Sequence, residues 1–175
     1  MSFRKILVAN RGEIAIRVIR AATDLDISTV AVYSEDDAAS LHKTMADSTS
    51  ALQGNGVAAY LNIEGIIEAA KKSHCDAIHP GYGFLAENSA FARKCAENEI
   101  VFIGPDIGHL ELFGDKGRAK SAAVAADVPI LRGKDRPVTL EEAQEFFATL
   151  QSGSGMMIKA IAGGGGRGSR AVTDE

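Results

Sequence analysis

The sequence has no tryptophan, only two cysteines and only four prolines among its 175 residues. Two cysteines without a C-x-x-C pair are too few for a disulfide framework or a cysteine-based zinc site. Cys75 and Cys95 are therefore predicted to be buried, reduced thiols. The net charge of −4 also lacks the positive excess that binds polyanions, so we expect no nucleic-acid partner.

Long apolar runs are missing as well. The first run, residues 6–9, has four residues, whereas a signal peptide needs about 7 to 15 and a membrane span about 20. We therefore expect no membrane partner and a cytoplasmic location. The composition, with 46% hydrophobic and 24% charged residues, is typical of a globular protein. The length of 175 residues is enough for one domain and part of another.

Short apolar segments alternate with amphipathic helices over roughly the first 104 residues. Fully apolar strands are typical of parallel sheets that are covered on both faces. Short connections between such elements predict right-handed crossovers and an open parallel α/β sheet of the Rossmann-like kind. The predicted strands are residues 6–9, 29–33, 77–79 and 100–104, with a short one near 51–52.

The pattern changes after residue 104. Residues 106–126 are predicted to be helical, and a T-x-x-E capping box at Thr139 and Glu142 begins an amphipathic helix with Gly153 as its expected C-cap. Strands are predicted on both sides of a glycine-rich loop. One helix and one hairpin cannot bury their own faces, so we expect a second domain that begins near residue 130 and an N-terminal fragment of a longer protein.

The glycine-rich loop has five glycines in six positions, from Gly163 to Gly168, with Arg167 among them. Bare backbone N–H groups can wrap an oxyanion, and a guanidinium suits phosphate oxygens. The loop matches neither the Walker A pattern nor the dinucleotide fingerprint. It is predicted to bind phosphate, with a flexible hairpin tip as the alternative.

Two lysines are candidates for further phosphate contacts. Lys159 lies in an apolar strand, where its side chain points to the opposite face from those of Ile158 and Ala160. Lys116 lies where a helix should begin, so its ammonium could reach a phosphate at the helix N-terminus. For both residues, an exposed lysine without a ligand is the alternative.

His79 and Glu87 follow the end of a predicted strand, at the edge where open parallel sheets bind ligands. They could form an acid–base pair. They could equally be a loop-anchoring histidine and a helix-start carboxylate. The sequence leaves both alternatives open.

Several blocks together resemble the biotin carboxylase family, and the resemblance covers the whole chain. The blocks are ILVANRGEIA at 6–15, YLNI at 60–63, HPGYGFLAEN at 79–88, FIGP at 102–105, GDK at 114–116 and IKA at 158–160, together with the glycine run. The resemblance implies a pre-ATP-grasp α/β domain at residues 1–114, a helical linker at 115–130, and the truncated start of an ATP-grasp domain at 131–175.

The implied activity is ATP-dependent carboxylation of biotin on a carrier protein, in which bicarbonate is activated as carboxyphosphate. The implied cofactors are ATP, Mg²⁺ and biotin. Lys116 and Lys159 match the family's ATP-phosphate lysines, and its mobile lid matches Gly163, Gly164, Gly165, Gly166, Arg167 and Gly168. The family's catalytic residues and magnesium ligands are expected downstream of residue 175, so none is assigned here. We therefore expect this chain alone to be inactive.

The implied partners are bicarbonate, a biotin carboxyl carrier, a carboxyltransferase and a second copy of the N-terminal domain, with Arg17 and Arg20 at the interface between copies. The chain departs from the family pattern at Ser48 and Ser169. One alternative is a non-catalytic nucleotide-binding or dimerisation module. Another is a different ATP-grasp ligase, such as one making carbamoyl phosphate. The final acceptor, an acyl-CoA or pyruvate, is not specified.

Overall fold

The computed structural model describes residues 3–134, 136–160 and 168–173. The chain divides into two compact units, Met1–Glu111 and Leu112–Glu175. In the described ranges, no helix is long and apolar enough to cross a membrane.

The first unit is built on a five-stranded sheet with the strand order β3-β2-β1-β4-β5. All four pairings are parallel, and Leu7 of the central strand is in register with Val30 on one side and Ile78 on the other. This confirms the predicted open parallel α/β fold. The strands are β1 Lys5–Val8, β2 Ser28–Tyr33, β3 Ser48–Ala51, β4 Ala77–His79 and β5 Val101–Phe102.

Helices pack on both faces of this sheet. On the first face, Ala15, Ile19 and Ala22 of α1 pack against Ile6, Val8, Ala31 and Ala77 of the strands. On the second face, a larger core joins the other sides of the strands to α3, α4 and α5. The helices are α1 Gly12–Asp24, α2 Leu41–Met45, α3 Gly56–Tyr60, α4 Ile63–Lys72 and α5 Ser89–Glu97.

Two predicted local features of the first unit are confirmed. The side chain of Asn62 accepts a hydrogen bond from the Gly65 N–H at 3.1 Å and caps α4. Cys75 and Cys95 are buried and unpaired, and burial raises the pKa values of their thiols to about 11 and about 12. Thiols with such values are almost entirely protonated at neutral pH and therefore unreactive.

The last strand of the sheet is shorter than residues 100–104, the range predicted for it. The Ile100 N–H donates to the Cys95 carbonyl at the end of α5, so this residue closes the preceding helix instead of extending β5. The short helices α2 and α3 were not predicted, because five residues are too few to show a helical period.

The second unit contains α7 Lys116–Ala125, α8 Leu140–Ala148 and a hairpin of β6 Met156–Lys159 and β7 Ser169–Val172, while α6 Ile107–Gly114 joins the units. Asp115 interrupts the helical region predicted for residues 106–126 because it caps α7. The capping box of Thr139 and Glu142 is present. The C-cap prediction for α8 was wrong: Thr149 occupies that position, and Gly153 lies in the turn before β6.

The described part of the second unit has no core of its own. Among the described residues after Leu110, none is buried, and Leu131 is 91% exposed. A helix pair and a two-stranded hairpin cannot form two covered layers. That further polypeptide completes the second domain remains an expectation.

Candidate functional site

The hairpin of the second unit carries the first group of predicted site residues. Lys159 at the end of β6 pairs with Ser169 of β7, and the Ala160 N–H donates to the Gly168 carbonyl at 2.7 Å. Gly168 has a φ of +75°, and a Cβ at this position would lie 2.8 Å from the Cβ of Ala160. The backbone hydrogen bond between Ala160 and Gly168 therefore closes the base of the loop, and the close approach of the two residues leaves room only for glycine at 168.

The remaining loop residues, Gly163, Gly164, Gly165, Gly166 and Arg167, lie outside the described residues. Their assignment as a lid over a triphosphate therefore remains a prediction.

The side chain of Lys159 is exposed, as are those of Met157 and Ile158 beside it. An exposed ammonium next to a glycine loop is accessible to a phosphate from solvent. The exposure is equally compatible with a lysine that has no ligand.

Lys116 lies on a separate element, as the first residue of α7. The Asp115 side chain accepts a hydrogen bond from the Arg118 N–H at 2.9 Å, which satisfies one of the unpaired donors at this helix end. The partial positive charge of the helix N-terminus and the basic residues Lys116, Arg118 and Lys120 favour an anion. The negative charge of the Asp115 carboxylate disfavours the binding of an anion at the same helix end.

The described acidic and metal-ligating side chains were compared with the needs of a metal site. Across the described ranges, no group of three His, Cys, Asp or Glu residues could hold a metal ion. The described lysine and arginine side chains of the second unit suit a phosphate and not Mg²⁺.

A second group of polar residues lies at the carboxyl edge of the parallel sheet in the first unit. Asn10 follows β1 and is 1% exposed. Its amide donates to the carbonyl oxygens of Pro80 at 2.8 Å and Tyr82 at 3.1 Å. A Cβ at Gly81 would lie 2.6 Å from the Asn10 Nδ2 atom. Asn10 therefore fixes the loop after β4 in one conformation.

Asp37 is the centre of a charged cluster beside this loop. Its carboxylate accepts hydrogen bonds from the Arg11 guanidinium at 2.9 Å, the Tyr60 hydroxyl at 2.8 Å and the Ser40 hydroxyl at 2.9 Å. Burial raises the pKa of Asp37, but the hydrogen bonds outweigh it and lower this pKa to about 2. Burial, and then the hydrogen bond to Asp37, raise the pKa of Tyr60 to about 12.

The Asp37 cluster supports the loop after β4 through an aromatic contact. The Tyr60 ring stacks on that of Phe84 with centroids 5.4 Å apart, and Phe84 has a positive φ of 40°. The strained backbone at Phe84 is thus held in place by packing.

His79 also anchors this loop. The Gly81 N–H donates to its Nδ1 atom at 2.9 Å, so Nδ1 carries no proton, and burial lowers the pKa of the ring. In the described residues, no hydrogen bond joins His79 to Glu87. The geometry favours the anchoring alternative for His79 over the acid–base pair.

Sequence reasoning missed Asn10 and Asp37. The rule that open parallel sheets place functional loops at their carboxyl edge would have found both, because Asn10 follows β1 and Asp37 lies in the acidic run after β2. Arg17 and Arg20, the predicted interface residues, are exposed on α1, and their interfacial role remains a prediction.

Two known families match the chain. The N-terminal domain of biotin carboxylase matches residues 2–110, and the ATP-binding domain of the carbamoyl-phosphate synthase L chain matches residues 115–175. Pyruvate carboxylase of Staphylococcus aureus is 54% identical over 98% of this chain, and the 2-oxoglutarate carboxylase small subunit of Hydrogenobacter thermophilus is 48% identical over 99% of it.

Solved structures agree with the sequence relatives. The H. thermophilus 2-oxoglutarate carboxylase biotin carboxylase domain, solved as a dimer in complex with MgADP, ADP and bicarbonate, superposes with a TM-score of 0.91 at 48% identity over 98% of this chain. The chain spans 15% of the S. aureus protein, 36% of the H. thermophilus subunit and 38% of the solved domain. With the N-terminal domain match over more than half of its residues, the chain belongs to the biotin carboxylase family.

Proposed function

We propose that the chain is the N-terminal part of a biotin carboxylase and contributes to the ATP-dependent carboxylation of biotin with bicarbonate. The observation that carries the proposal is the β6–β7 hairpin. It places an exposed Lys159 beside a glycine loop whose base is closed at Gly168, within the region that matches an ATP-binding domain. The solved H. thermophilus relative binds MgADP, which corresponds to the product of ATP cleavage, and bicarbonate, and this supports ATP and bicarbonate as substrates.

The residues of this chain have the task of binding and orienting the triphosphate. Lys159 and Lys116 offer ammonium groups for charge-assisted hydrogen bonds to phosphate oxygens. When ATP is bound, it supplies the phosphoryl group that activates bicarbonate. Positioning and charge neutralisation account for most of the catalysis in phosphoryl transfer, so loss of either lysine should weaken nucleotide binding and slow the reaction.

We propose the domain boundaries and the partners of the chain from its family matches. We assign residues 1–114 to the pre-ATP-grasp domain, 115–130 to a linker and 131–175 to the start of the ATP-grasp domain, with magnesium ligands and catalytic residues beyond residue 175. The partners are a biotin carrier, a carboxyltransferase and a second copy that contacts Arg17 and Arg20. The cytoplasmic location expected from the sequence remains a prediction.

Calorimetric titration of ATP tests the nucleotide assignment, and the protein titrated is a chimera in which this chain replaces the matched N-terminal region of the H. thermophilus 2-oxoglutarate carboxylase small subunit. A charge-assisted hydrogen bond contributes about 1.5–3 kcal/mol, so Lys159→Ala or Lys116→Ala should weaken ATP binding roughly 10-fold or more. Lys72→Ala is the matched control, because Lys72 is exposed on α4 and pairs with Glu68. Equal affinity in all four proteins would contradict the proposal.

A non-catalytic module is the second candidate. It is favoured by the contrast between the units, because the first buries a core on both sheet faces whereas the described part of the second buries none. ADP formation that depends on biotin and bicarbonate in a longer protein containing this chain would exclude the module. It would also exclude a carbamoyl phosphate ligase, which has no use for biotin.

A further inference from the structure

The loop between β3 and α3 contains the one Asn-Gly pair of the sequence, Asn55 and Gly56. Asn55 is exposed to solvent. Glycine has no Cβ, so its backbone nitrogen is the least hindered one that can attack the side chain of a preceding asparagine. Each of the other four asparagines is followed by a residue with a side chain. Asn55 is therefore the asparagine whose chemistry most favours deamidation.

Deamidation at such a pair begins when the Gly56 nitrogen attacks the side-chain carbon Cγ of Asn55. A bond forms between this nitrogen and Cγ, and the bond from Cγ to Nδ2 breaks. The amide group leaves as ammonia, together with the proton of the Gly56 N–H, and a five-membered succinimide remains. Water from the solvent then opens either carbonyl of the ring, which gives aspartate or isoaspartate at position 55.

The fold holds the attacking nitrogen in a hydrogen bond. The Gly56 N–H donates to Asp36 Oδ1 at 2.8 Å, and the same oxygen accepts from the Ser34 hydroxyl at 2.7 Å. The bond from Gly56, and then that from Ser34, lower the pKa of Asp36. Its carboxylate is therefore a weak base, which accepts the hydrogen bond without taking the amide proton.

The conformation of Asn55 also opposes the reaction. Its Nδ2 donates to Glu35 Oε2 at 3.3 Å, and its backbone is extended, with a ψ of 155°. In the nearly planar ring of a succinimide, the Gly56 nitrogen must eclipse the Cβ of Asn55 about the Cα–C bond. The extended backbone does not allow this. The peptide plane has to rotate first, and this rotation turns the Gly56 N–H away from Asp36.

We propose that Asn55 is a deamidation site that the native loop keeps closed through the hydrogen bond from Gly56 to Asp36. Local opening of the loop releases the pair for reaction. The product carries a carboxylate where the amide donated to Glu35, so residues 35, 36 and 55 then repel one another and disfavour reclosure. The inference is independent of the proposed function, because it concerns the first unit alone.

The modification reaches the Asp37 cluster through α3. This helix starts at Gly56 and ends at Tyr60, whose hydroxyl donates to Asp37 at 2.8 Å. Isoaspartate adds one methylene group to the main chain directly before the helix. Because α3 has only five residues, we expect the insertion to displace Tyr60 and to weaken its hydrogen bond to Asp37.

The test measures deamidation of Asn55 in the chimera of this chain with the H. thermophilus subunit, at neutral pH, both folded and denatured in guanidinium chloride. Trypsin releases residues 44–71 as one peptide, because Lys43 and Lys71 flank a segment without Lys or Arg. Fragment-ion mass spectra of this peptide distinguish Asn55 from Asn62, which is the internal reference. We expect Asn55 to react roughly 10-fold or more slowly in the folded chimera than in the denatured one.

Asp36→Ala removes the acceptor and should speed the reaction of Asn55 in the folded chimera roughly 2- to 10-fold, the factor that one net hydrogen bond provides. Asp24→Ala is the matched control, since Asp24 is an exposed carboxylate at the end of α1, and it should leave the rate unchanged. If circular dichroism shows that Asp36→Ala is unfolded, Asp36→Asn replaces it. Its neutral amide oxygen is a weaker acceptor than a carboxylate, so the rate should still rise.

Three results would overturn the proposal. Equal rates at Asn55 in the folded and denatured chimera would show that the loop gives no protection, and this comparison needs no variant. Equal rates in the Asp36 and Asp24 variants would show that the hydrogen bond to Gly56 does not close the site. A slower reaction without the Asp36 carboxylate would show that it promotes deamidation as a base.

Discussion

The side-chain amide of Asn10 donates a hydrogen bond of 2.8 Å to the carbonyl oxygen of Pro80, which lies 70 residues away in the sequence. The bond joins the ends of β1 and β4, where the order of strands reverses. In dinucleotide-binding sheets a ligand occupies this position. Here the Asn10 side chain lies at this position and holds the loop after β4. This agrees with our proposal that the nucleotide binds the second unit.

Asn10→Ala should lower the free energy of unfolding by about 2–3 kcal/mol, because the Pro80 and Tyr82 carbonyls both lose their donor. Urea denaturation measures this change. Asn55→Ala is the control, since its amide bonds only to the exposed Glu35, and its effect should stay below about 0.5 kcal/mol. Equal losses would show that Asn10 does not hold the loop.

Gly81 and Gly83 have nearly the same φ, +67° and +69°, but different surroundings. Gly83→Ala should cost about 1–2 kcal/mol through backbone strain alone. Gly81→Ala should cost about 1–3 kcal/mol more, because the new Cβ would meet the Ile14 side chain at 2.7 Å as well as Asn10. Thermal denaturation of both variants checks this order, and a smaller loss for Gly81→Ala would contradict the geometry.

The Asp37 cluster should make stability depend on pH. The pKa of Asp37 is about 2 in the folded protein and roughly 3.9 in the unfolded chain. Its contribution is therefore complete above about pH 5 and is lost as the pH falls towards 2, with an amplitude of about 2–3 kcal/mol.

Asp37→Asn should remove this part of the pH dependence. The measurement is urea denaturation at several values between about pH 2 and 5, with Asp24→Asn, on the exposed side of α1, as control. If Asp37→Asn and wild type lose stability in parallel over this range, the cluster does not hold Asp37 ionised.

Gly168→Ala should weaken ATP binding, because its Cβ would clash with Ala160 and open the base of the glycine loop. Gly153→Ala is the matched control: its φ of +79° imposes similar strain, but no atom lies within 4 Å of the new Cβ. Titration of ATP into both variants of the chimera should show at least a severalfold greater loss of affinity for Gly168→Ala. Similar affinities would mean that the hairpin base does not shape the nucleotide site.

Local patterns predicted much of the fold. The apolar runs of β1, β2 and β4, the cap at Asn62 and the capping box at Thr139 depend on neighbouring residues, so the sequence was sufficient to place them. The extent of β5 could not be predicted, because Ile100 is bonded to the preceding helix and not to the sheet.

The polar site at the sheet edge depends on contacts that no local pattern contains. Asp37 binds Arg11 across 26 residues and Tyr60 across 23. These partners meet only because parallel strands bring their carboxyl ends to one edge, and the sequence alone does not specify which side chains pair there. Lys159 was predicted as a site residue from its place in an apolar strand and Gly168 from the glycine run. The structure adds the contact that makes glycine necessary at 168.

We propose that this chain supplies the phosphate-binding start of a biotin carboxylase and needs the rest of the domain for activity. The most direct measurement is ADP formation by the chimera and by the chain alone, with and without biotin and bicarbonate. We predict activity in the chimera that needs both substrates, falls at least 10-fold in Lys159→Ala and is absent from the chain alone. ADP formation by the chain alone, or a chimera insensitive to Lys159→Ala, would contradict the account.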